Sequence, residues 1–150
     1  PSTLPMRITR GLVAKLKKVS RNKLWVNTQF NCHEELTEQA RAACAKMVDA
    51  GIPVSCQTVL LRGVNDSVEK MYRLCVQLQR ARVRPYYVFV CDPVSGTGHF
   101  RVDLNKALEI ERALAARIGG LGMPRFVADI PSAPRKTPLA ELAAEGNYSG

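Results

Sequence analysis

The run Pro85-Tyr86-Tyr87-Val88-Phe89-Val90 decides the fold class of this 150-residue chain. Its residues are almost continuously apolar or aromatic, which is typical of a strand in a parallel sheet that is covered on both faces. Working outward, two further β-favouring runs precede it at residues 24–30 and 52–61, and a fourth follows at residues 125–128. The sequence therefore predicts four strands at fairly regular spacing.

A helical pattern occupies each gap between these runs. Thr9, Thr37 and either Asp66 or Ser67 are suitable N-caps for three of the helices, and a fourth helix is predicted over residues 104–118. A last helical piece is expected at residues 139–144. Regular strand–helix alternation predicts parallel strands joined by right-handed crossovers, in either a small doubly wound sheet or part of a (β/α) barrel.

Composition and charge exclude several classes of protein. The net charge is +9, but the basic residues between positions 7 and 23 lack interleaved aromatic residues, so we expect no nucleic acid partner. No apolar run is long enough for a membrane span and no secretory leader is visible, so we expect a cytoplasmic protein without a membrane partner. The chain begins with Pro1 rather than Met, so we expect a longer native protein.

Polar residues follow several of the predicted strands, where parallel α/β folds bind their ligands. They are Asn27, Gln29, Asn31, His33, Gln57, Asp92, Asp129 and Lys136. Asp92 and Asp129 each end an apolar strand, so together they could grip a cationic group. The amine of a lysine such as Lys136 can form a Schiff base with a carbonyl compound, although most lysines are solvated. The residues alone leave a binding site and a set of ordinary turn residues both open.

Several stretches of the chain resemble the lysine 2,3-aminomutase family, and they occur in the order found in that family over nearly the whole chain. They are Pro5 to Thr9, Val26 to Asn31, Gln57 to Asp66, Arg82 to Tyr87, Cys91-Asp92, Gly98 to Phe100 and Lys136-Thr137-Pro138. The resemblance implies an α/β fold, the C-terminal half of a radical S-adenosylmethionine (β/α) barrel. Residues 1–130 would form the partial barrel, and residues 131–150 would form the lysine-bearing segment and tail.

The resemblance also implies an isomerase that moves the α-amino group of L-lysine to the β carbon by a radical mechanism. The cofactors of that family are pyridoxal phosphate, S-adenosylmethionine and a 4Fe–4S cluster. Lys136 would hold pyridoxal phosphate covalently, and Asp92 and Asp129 would bind the side-chain ammonium of the substrate. Gln57 and Gln29 would face S-adenosylmethionine. The expected partner is a small amino acid, and the expected assembly is a homo-oligomer.

Three departures from the family limit what this chain should do alone. The C-x-x-x-C-x-x-C segment that binds the cluster is absent, so the cluster ligands are not in this chain and we do not expect it to form the radical by itself. The glycine run before the pyridoxal lysine is replaced by Ser132-Ala133-Pro134-Arg135. Ser67 stands where some members have a zinc-binding cysteine, and the five cysteines here include no C-x-x-C pair, so we expect no bound metal.

Two other functions remain open. One is the aminomutase that makes β-lysine for elongation factor P, which shares the ending Lys136-Thr137-Pro138-Leu139. Asp129 and the segment Arg82 to Tyr87 resemble the enzymes of free lysine more closely. The other is a non-catalytic half-barrel that docks on another chain, an interpretation that the missing cluster segment keeps open.

Overall fold

The computed structural model describes residues 2–91, 96–130 and 133–145. Five strands and five α-helices follow one another along the chain in a largely alternating order. They are α1 (Arg10–Ser20), β1 (Val26–Gln29), α2 (Glu38–Asp49), β2 (Val54–Leu60), α3 (Val68–Arg80), β3 (Arg84–Val90), α4 (Leu104–Ala115), β4 (Arg125–Ala128), β5 (Thr137–Pro138) and α5 (Leu139–Glu145). The four predicted strands and all the predicted helices are thus present.

The strands form one sheet in the order β1-β2-β3-β4-β5. The first four strands are parallel, with Val26 opposite Val54 and Val88 opposite Phe126, whereas β5 runs antiparallel to β4. A doubly wound sheet reverses its strand order at a switch point, and this sheet does not. The sequential order therefore confirms the prediction of a partial (β/α) barrel, with β5 as an unpredicted addition at one edge.

Side-chain caps explain where the helices begin. The hydroxyl groups of Thr9 and Thr37 accept hydrogen bonds from backbone N–H groups in the first turns of α1 and α2. Of the two candidates before α3, Ser67 is the cap, because its hydroxyl accepts from the N–H of Lys70. Asp66 instead forms an ion pair with Lys106 at 3.3 Å. Each such cap stabilises a helix by about 1 kcal/mol.

Most of the core lies on one face of the sheet. Leu60, Val88 and Phe126 are fully buried beneath the helices, whereas Tyr87 and Phe89, on the opposite face of β3, are only half-buried. The prediction that β3 is covered on both faces was therefore wrong. Crossovers of one hand between strands in sequential order place every helix on the same side, so this chain leaves the opposite face of β3 open.

The segment after β5 is anchored in the same core. Leu139 and Leu142 of α5 are fully buried and pack with Leu114 and Phe126. Burying a leucine side chain contributes roughly 1.5–3 kcal/mol, so this contact fixes the position of the chain just after Lys136. None of the helices in the described ranges is both long and apolar enough to cross a membrane.

Candidate active site at the carboxyl ends of the strands

The open face of the sheet carries a mixed polar and aromatic surface. Successive side chains of a strand point to opposite faces, so alternate residues of β1 to β4 share this face. They are Asn27, Gln29, Gln57, Val59, Tyr87, Phe89, Arg125 and Val127. Asp129 lies two residues beyond Val127 and therefore continues the same row past the end of β4. This face and the strand ends above it form the candidate site.

Two glutamine side chains stand together at the β1–β2 side of the site. Gln29 and Gln57 are directly opposite each other in the parallel ladder. The amide nitrogen of Asn27 donates to Oε1 of Gln57 at 2.8 Å, and the amide nitrogen of Gln29 lies 3.4 Å from Oδ1 of Asn31. The two residues that the resemblance assigns to S-adenosylmethionine are therefore neighbours, and that role stays a prediction.

Lys136 and Asp129 meet at the β4–β5 side of the site. The antiparallel pairing puts Ala128 opposite Thr137, so the next residue of one strand and the preceding residue of the other also face each other. The ammonium of Lys136 donates to the carboxylate of Asp129 in an ion pair. The Lys136 Nζ atom lies 5.7 Å from the centroid of the Phe89 ring, which places it on the open face.

Phe89 separates the two groups of polar residues. It lies opposite Val59 of β2 and Val127 of β4, so its ring stands between the glutamines and the ion pair. Adjacent strands are about 4.8 Å apart, so the distance across the sheet from β1 to β4 is about 14 Å. Ligands that contact both groups must therefore together extend across about 14 Å, which is more than the width of one small molecule.

Asp92 lies outside the described residues, so its distance from Asp129 is not defined and the predicted two-carboxylate clamp stays a prediction. Of the five site residues predicted from the sequence, the structure brings together Gln29 with Gln57 and Lys136 with Asp129. These are two separate pairs on one face. Their roles in binding cofactor and substrate also stay predictions.

A cleft of about 870 Å³ opens beside β4, next to Lys136. Tyr87 and three arginine side chains, Arg112, Arg125 and Arg135, contribute to its walls. An amine, guanidinium groups and an aromatic ring suit an anionic aromatic aldehyde, because arginine binds phosphate well and lysine adds to carbonyl groups. The residues present therefore fit pyridoxal phosphate.

Two titrating groups that line this cleft, Glu111 and Tyr87, have pKa values above their usual ones. Burial raises the pKa of the Glu111 carboxyl. The hydrogen bond with the Tyr86 hydroxyl, followed by burial, raises the pKa of Tyr87. Tyr87 therefore presents a neutral hydroxyl group to the open face at neutral pH.

The cysteines of this chain do not form a set of cluster ligands. Cys44, Cys56 and Cys75 are buried, and burial raises the pKa of Cys56 to about 11 and that of Cys75 to about 12. A metal-binding cysteine must be a thiolate, which such burial opposes. Within residues 2–91, 96–130 and 133–145, no three His, Cys, Asp or Glu side chains lie close enough together to bind a metal ion. The donor set thus does not fit an iron–sulfur cluster.

Sequence reasoning missed the amide network that supports the site. Asn65 lies in the turn after β2, where asparagine is common, but its side chain is 1% exposed and binds three backbone groups at the ends of β1 and β2. Phe89 was predicted to belong to a buried strand rather than to the site. The sequence shows only that Asn65 follows β2 by five residues. That position predicts a turn, but it does not reveal whether the side chain also binds buried backbone groups.

Comparison with known proteins agrees with the resemblance. No protein-family model matches the chain. It is 46% identical over 139 residues to L-lysine 2,3-aminomutase of Fusobacterium nucleatum, which is 93% of this chain and 32% of that protein. It is 45% identical to L-lysine 2,3-aminomutase of Clostridium subterminale over 93% of this chain and 33% of that protein. It is 37% identical to glutamate 2,3-aminomutase of Clostridioides difficile over 91% of this chain and 32% of that protein.

A solved structure shares the fold. A radical SAM methyltransferase from Sphaerobacter thermophilus superimposes with a TM-score of 0.56 at 19% identity, covering 77% of this chain and 38% of that one. The sequence relatives are matched over their C-terminal portion. Over the length that it shares with them, the chain therefore matches the C-terminal portion of the lysine 2,3-aminomutases, as the resemblance predicted, and it spans about one third of the length of those relatives.

Proposed function

We propose that the chain supplies part of the active site of an isomerase that moves the α-amino group of L-lysine to the β carbon by a radical mechanism. The observation that carries the proposal is the pairing of Lys136 with Asp129 on the open sheet face that also presents Gln29 and Gln57. The relatives named L-lysine 2,3-aminomutase, at 46% and 45% identity, support it.

Pyridoxal phosphate, when bound, supplies the carbonyl that holds the migrating amino group, while S-adenosylmethionine and a 4Fe–4S cluster supply the radical that removes a hydrogen from the substrate. Lys136 is the proposed covalent anchor, since it is one of the residues that line the cleft beside β4. Arg125 and Arg112 line the same cleft, and the proposal assigns them the binding of a phosphate group. The cluster ligands belong to sequence outside this chain.

The substrate is proposed to be free lysine because an acid stands where its side chain would end. The carboxylate of Asp129 already binds one ammonium group, that of Lys136, and this ion pair supports the proposal that a substrate ammonium binds there. Asp92 is the proposed second acid. Glutamate would bring a carboxylate against Asp129, and like charges repel at this range. We also propose a cytoplasmic enzyme that acts as a homo-oligomer.

Borohydride reduction of the native protein in the presence of pyridoxal phosphate tests the assignment of Lys136. Reduction fixes the cofactor to whichever amine holds it, and peptide mapping identifies that residue. Lys106→Ala is the matched control, because Lys106 also pairs with an aspartate, Asp66, at 3.3 Å but lies on the helical layer. Lys136→Ala should abolish labelling and Lys106→Ala should leave it intact.

Two results would contradict the proposal. A stable label on a different lysine, with Lys136→Ala still active, would exclude Lys136 as the anchor. Turnover of L-glutamate with no turnover of L-lysine would exclude the substrate. The non-catalytic alternative predicts no label on any lysine and no conversion of either amino acid by the native protein.

A further inference from the structure

The beginning of the chain carries most of its net charge. Residues 7–23 contain seven basic side chains and no acidic one, whereas the net charge of the whole chain is +9. In the part of the chain that the structure describes, none of these seven forms an ion pair, although six lysine or arginine side chains elsewhere do so. The seven are Arg7, Arg10, Lys15, Lys17, Lys18, Arg21 and Lys23. Unpaired cations are therefore concentrated on and around α1.

Helix stability does not explain all of these cations. Lys17 and Lys18 lie in the last turn of α1, where the negative end of the helix dipole favours them. Arg10 is the first residue of α1, where the dipole disfavours a cation, and the first turn holds no acid. By contrast, α2 and α3 each carry a glutamate in the first turn, Glu38 and Glu69. The cation at the start of α1 therefore needs an explanation outside the helix.

One side of α1 carries a row of exposed apolar residues. Leu12, Leu16 and Val19 follow one another at intervals of four and three residues, which places them in one row along the helix. Val19 is 84% exposed and the two leucines are each more than one third exposed, while Val13 is the residue of α1 that is buried in the core. Single exposed apolar residues are ordinary, but three at this spacing are typical of a helix that packs against another helix.

An exposed cation, Lys15, borders this row. It follows Leu12 by three residues and precedes Val19 by four, so its side chain is a neighbour of both on the helix surface. Lys15, Leu12, Leu16 and Val19 together form the α1 flank. Because α1 packs on α2 and precedes β1, it stands at the β1 end of the sheet, where no other described strand pairs with β1. The α1 flank is thus open at the open edge of the sheet.

The charge and burial of the α1 flank favour an acidic helix over other occupants. A second copy would bring a further set of unpaired cations against the first, and like charges repel. A nucleic acid would neutralise the cations but leave the apolar row without cover. Leu12 and Leu16 are already more than half covered, whereas a helix that binds a lipid surface exposes its whole apolar face. A partly covered apolar row matches the stripe of an amphipathic helix packed alongside.

We propose that the α1 flank binds an amphipathic helix of the same protein that lies outside residues 2–145. This helix presents an apolar stripe to Leu12, Leu16 and Val19 and a carboxylate to Lys15. The relatives are about three times as long as this chain, so a protein of their length has enough sequence to supply the helix. Charge complementarity selects which helix docks, because a basic or neutral one leaves the cations of α1 unpaired. The proposal does not depend on the proposed function.

Carbodiimide cross-linking of the native protein tests the contact with Lys15. The reagent joins an amine directly to a carboxylate that touches it, and mass spectrometry identifies both residues. Lys15 should be joined to an Asp or Glu of a helical segment outside residues 2–145. Mixing isotope-labelled and unlabelled protein distinguishes a link within one polypeptide, which we expect, from a link between two copies. Lys106 and Asp66, 3.3 Å apart, are the internal control and should be joined in every sample.

A matched pair of substitutions tests the apolar row. Val19→Gln should lower the Tm of the native protein by at least about 3 °C, because an amide would replace an apolar group in a contact between helices. Glutamine forms helices more readily than valine, so helix propensity cannot cause this loss. Leu121→Gln is the control, because Leu121 is 75% exposed just before β4, and it should change Tm by less than about 1 °C.

Two variants of Lys15 separate its charge from its reactivity. Lys15→Arg keeps the charge but lacks the amine, so the cross-link should disappear while Tm stays within about 1 °C of the parent value. Lys15→Glu should lower Tm, and changing the cross-linked carboxylate to lysine in the same protein should restore it. This rescue would not occur if Lys15 acted only within its own helix.

Several results would overturn the proposal. Joining of Lys106 to Asp66 without any link from Lys15 would exclude a carboxylate at the α1 flank, and a link to a second copy or to another protein would exclude the same polypeptide as its source. An unchanged Tm in both Val19→Gln and Lys15→Glu would make the flank an ordinary solvated surface. Binding to phosphatidylserine vesicles that Val19→Gln abolishes, with no link from Lys15, would assign the flank to a membrane instead.

Discussion

Replacing Asn65 by alanine should destabilise the protein more than replacing any exposed asparagine. The Asn65 side chain is 1% exposed and makes hydrogen bonds of 2.7, 2.7 and 2.8 Å to three backbone groups. Each such bond contributes about 1 kcal/mol net, and a buried partner left unpaired costs about 1–3 kcal/mol. We therefore expect Asn65→Ala to lower the free energy of unfolding by about 3–4 kcal/mol.

For a protein of this size, that loss corresponds to a fall in Tm of roughly 6–16 °C. Urea unfolding monitored by circular dichroism measures the free energy, and native-state hydrogen exchange of the Leu61 amide reports the local effect, since this N–H donates to Asn65. Asn105→Ala is the control, because Asn105 is exposed on α4. Asn65→Asp should be at least as harmful as Asn65→Ala, because its carboxylate would face two carbonyl oxygens.

A loss of less than about 1 kcal/mol in Asn65→Ala, the value of a single exposed interaction, would contradict this role of Asn65. So would a Leu61 amide that exchanges as slowly in the variant as in the parent protein. A loss matched by Asn105→Ala would point to a general effect of such substitutions rather than to the network, because alanine forms helices more readily than asparagine.

Three further predictions follow from the site and the core. In the native enzyme, Asp129→Asn should raise KM for lysine about 10-fold to 100-fold in steady-state assays, because a hydrogen bond to a charged group contributes roughly 1.5–3 kcal/mol; unchanged kinetics would remove Asp129 from the substrate site. Gly122→Ala should lower Tm, since an added Cβ would lie 2.0 to 2.8 Å from neighbouring side chains, whereas Gly119→Ala meets nothing within 4 Å and should not. The thiols of Cys56 and Cys75, with pKa values of about 11 and about 12, should resist iodoacetamide at pH 8 in the folded protein and react once it is unfolded, as mass spectrometry can show.

The sequence was sufficient to predict the strands and helices because their periodicity is strong. β4 was predicted at its observed bounds, Arg125–Ala128, and the cap residues Thr9 and Thr37 were identified from their preference for that position. The coverage of β3 could not be predicted in the same way. An aromatic residue such as Phe89 is compatible with a covered face and with an open face that binds ligands, so composition alone does not distinguish them.

The amide network could not be predicted from the sequence, for a different physical reason. Asn65, Asn31 and Val59 come together only because β1 and β2 pair in parallel in one particular register. An asparagine after a strand has a strong local preference for turns, and that local preference is what a single sequence displays. The long-range partners that determine its role appear only when the register is known.

The position of Lys136 shows how a very short element can complete a site. The two residues of β5 pair with β4, and the burial of Leu139 fixes the chain beyond them. Together these contacts hold the amine of Lys136 at the strand end where Asp129 lies. Since one carboxylate cannot bind two ammonium groups equally well, the proposed substrate role of Asp129 requires that Lys136 be engaged elsewhere. Under the proposed function, the covalent anchoring of a carbonyl cofactor by Lys136 is the event that removes this competing cation, so the cofactor and the substrate site depend on each other.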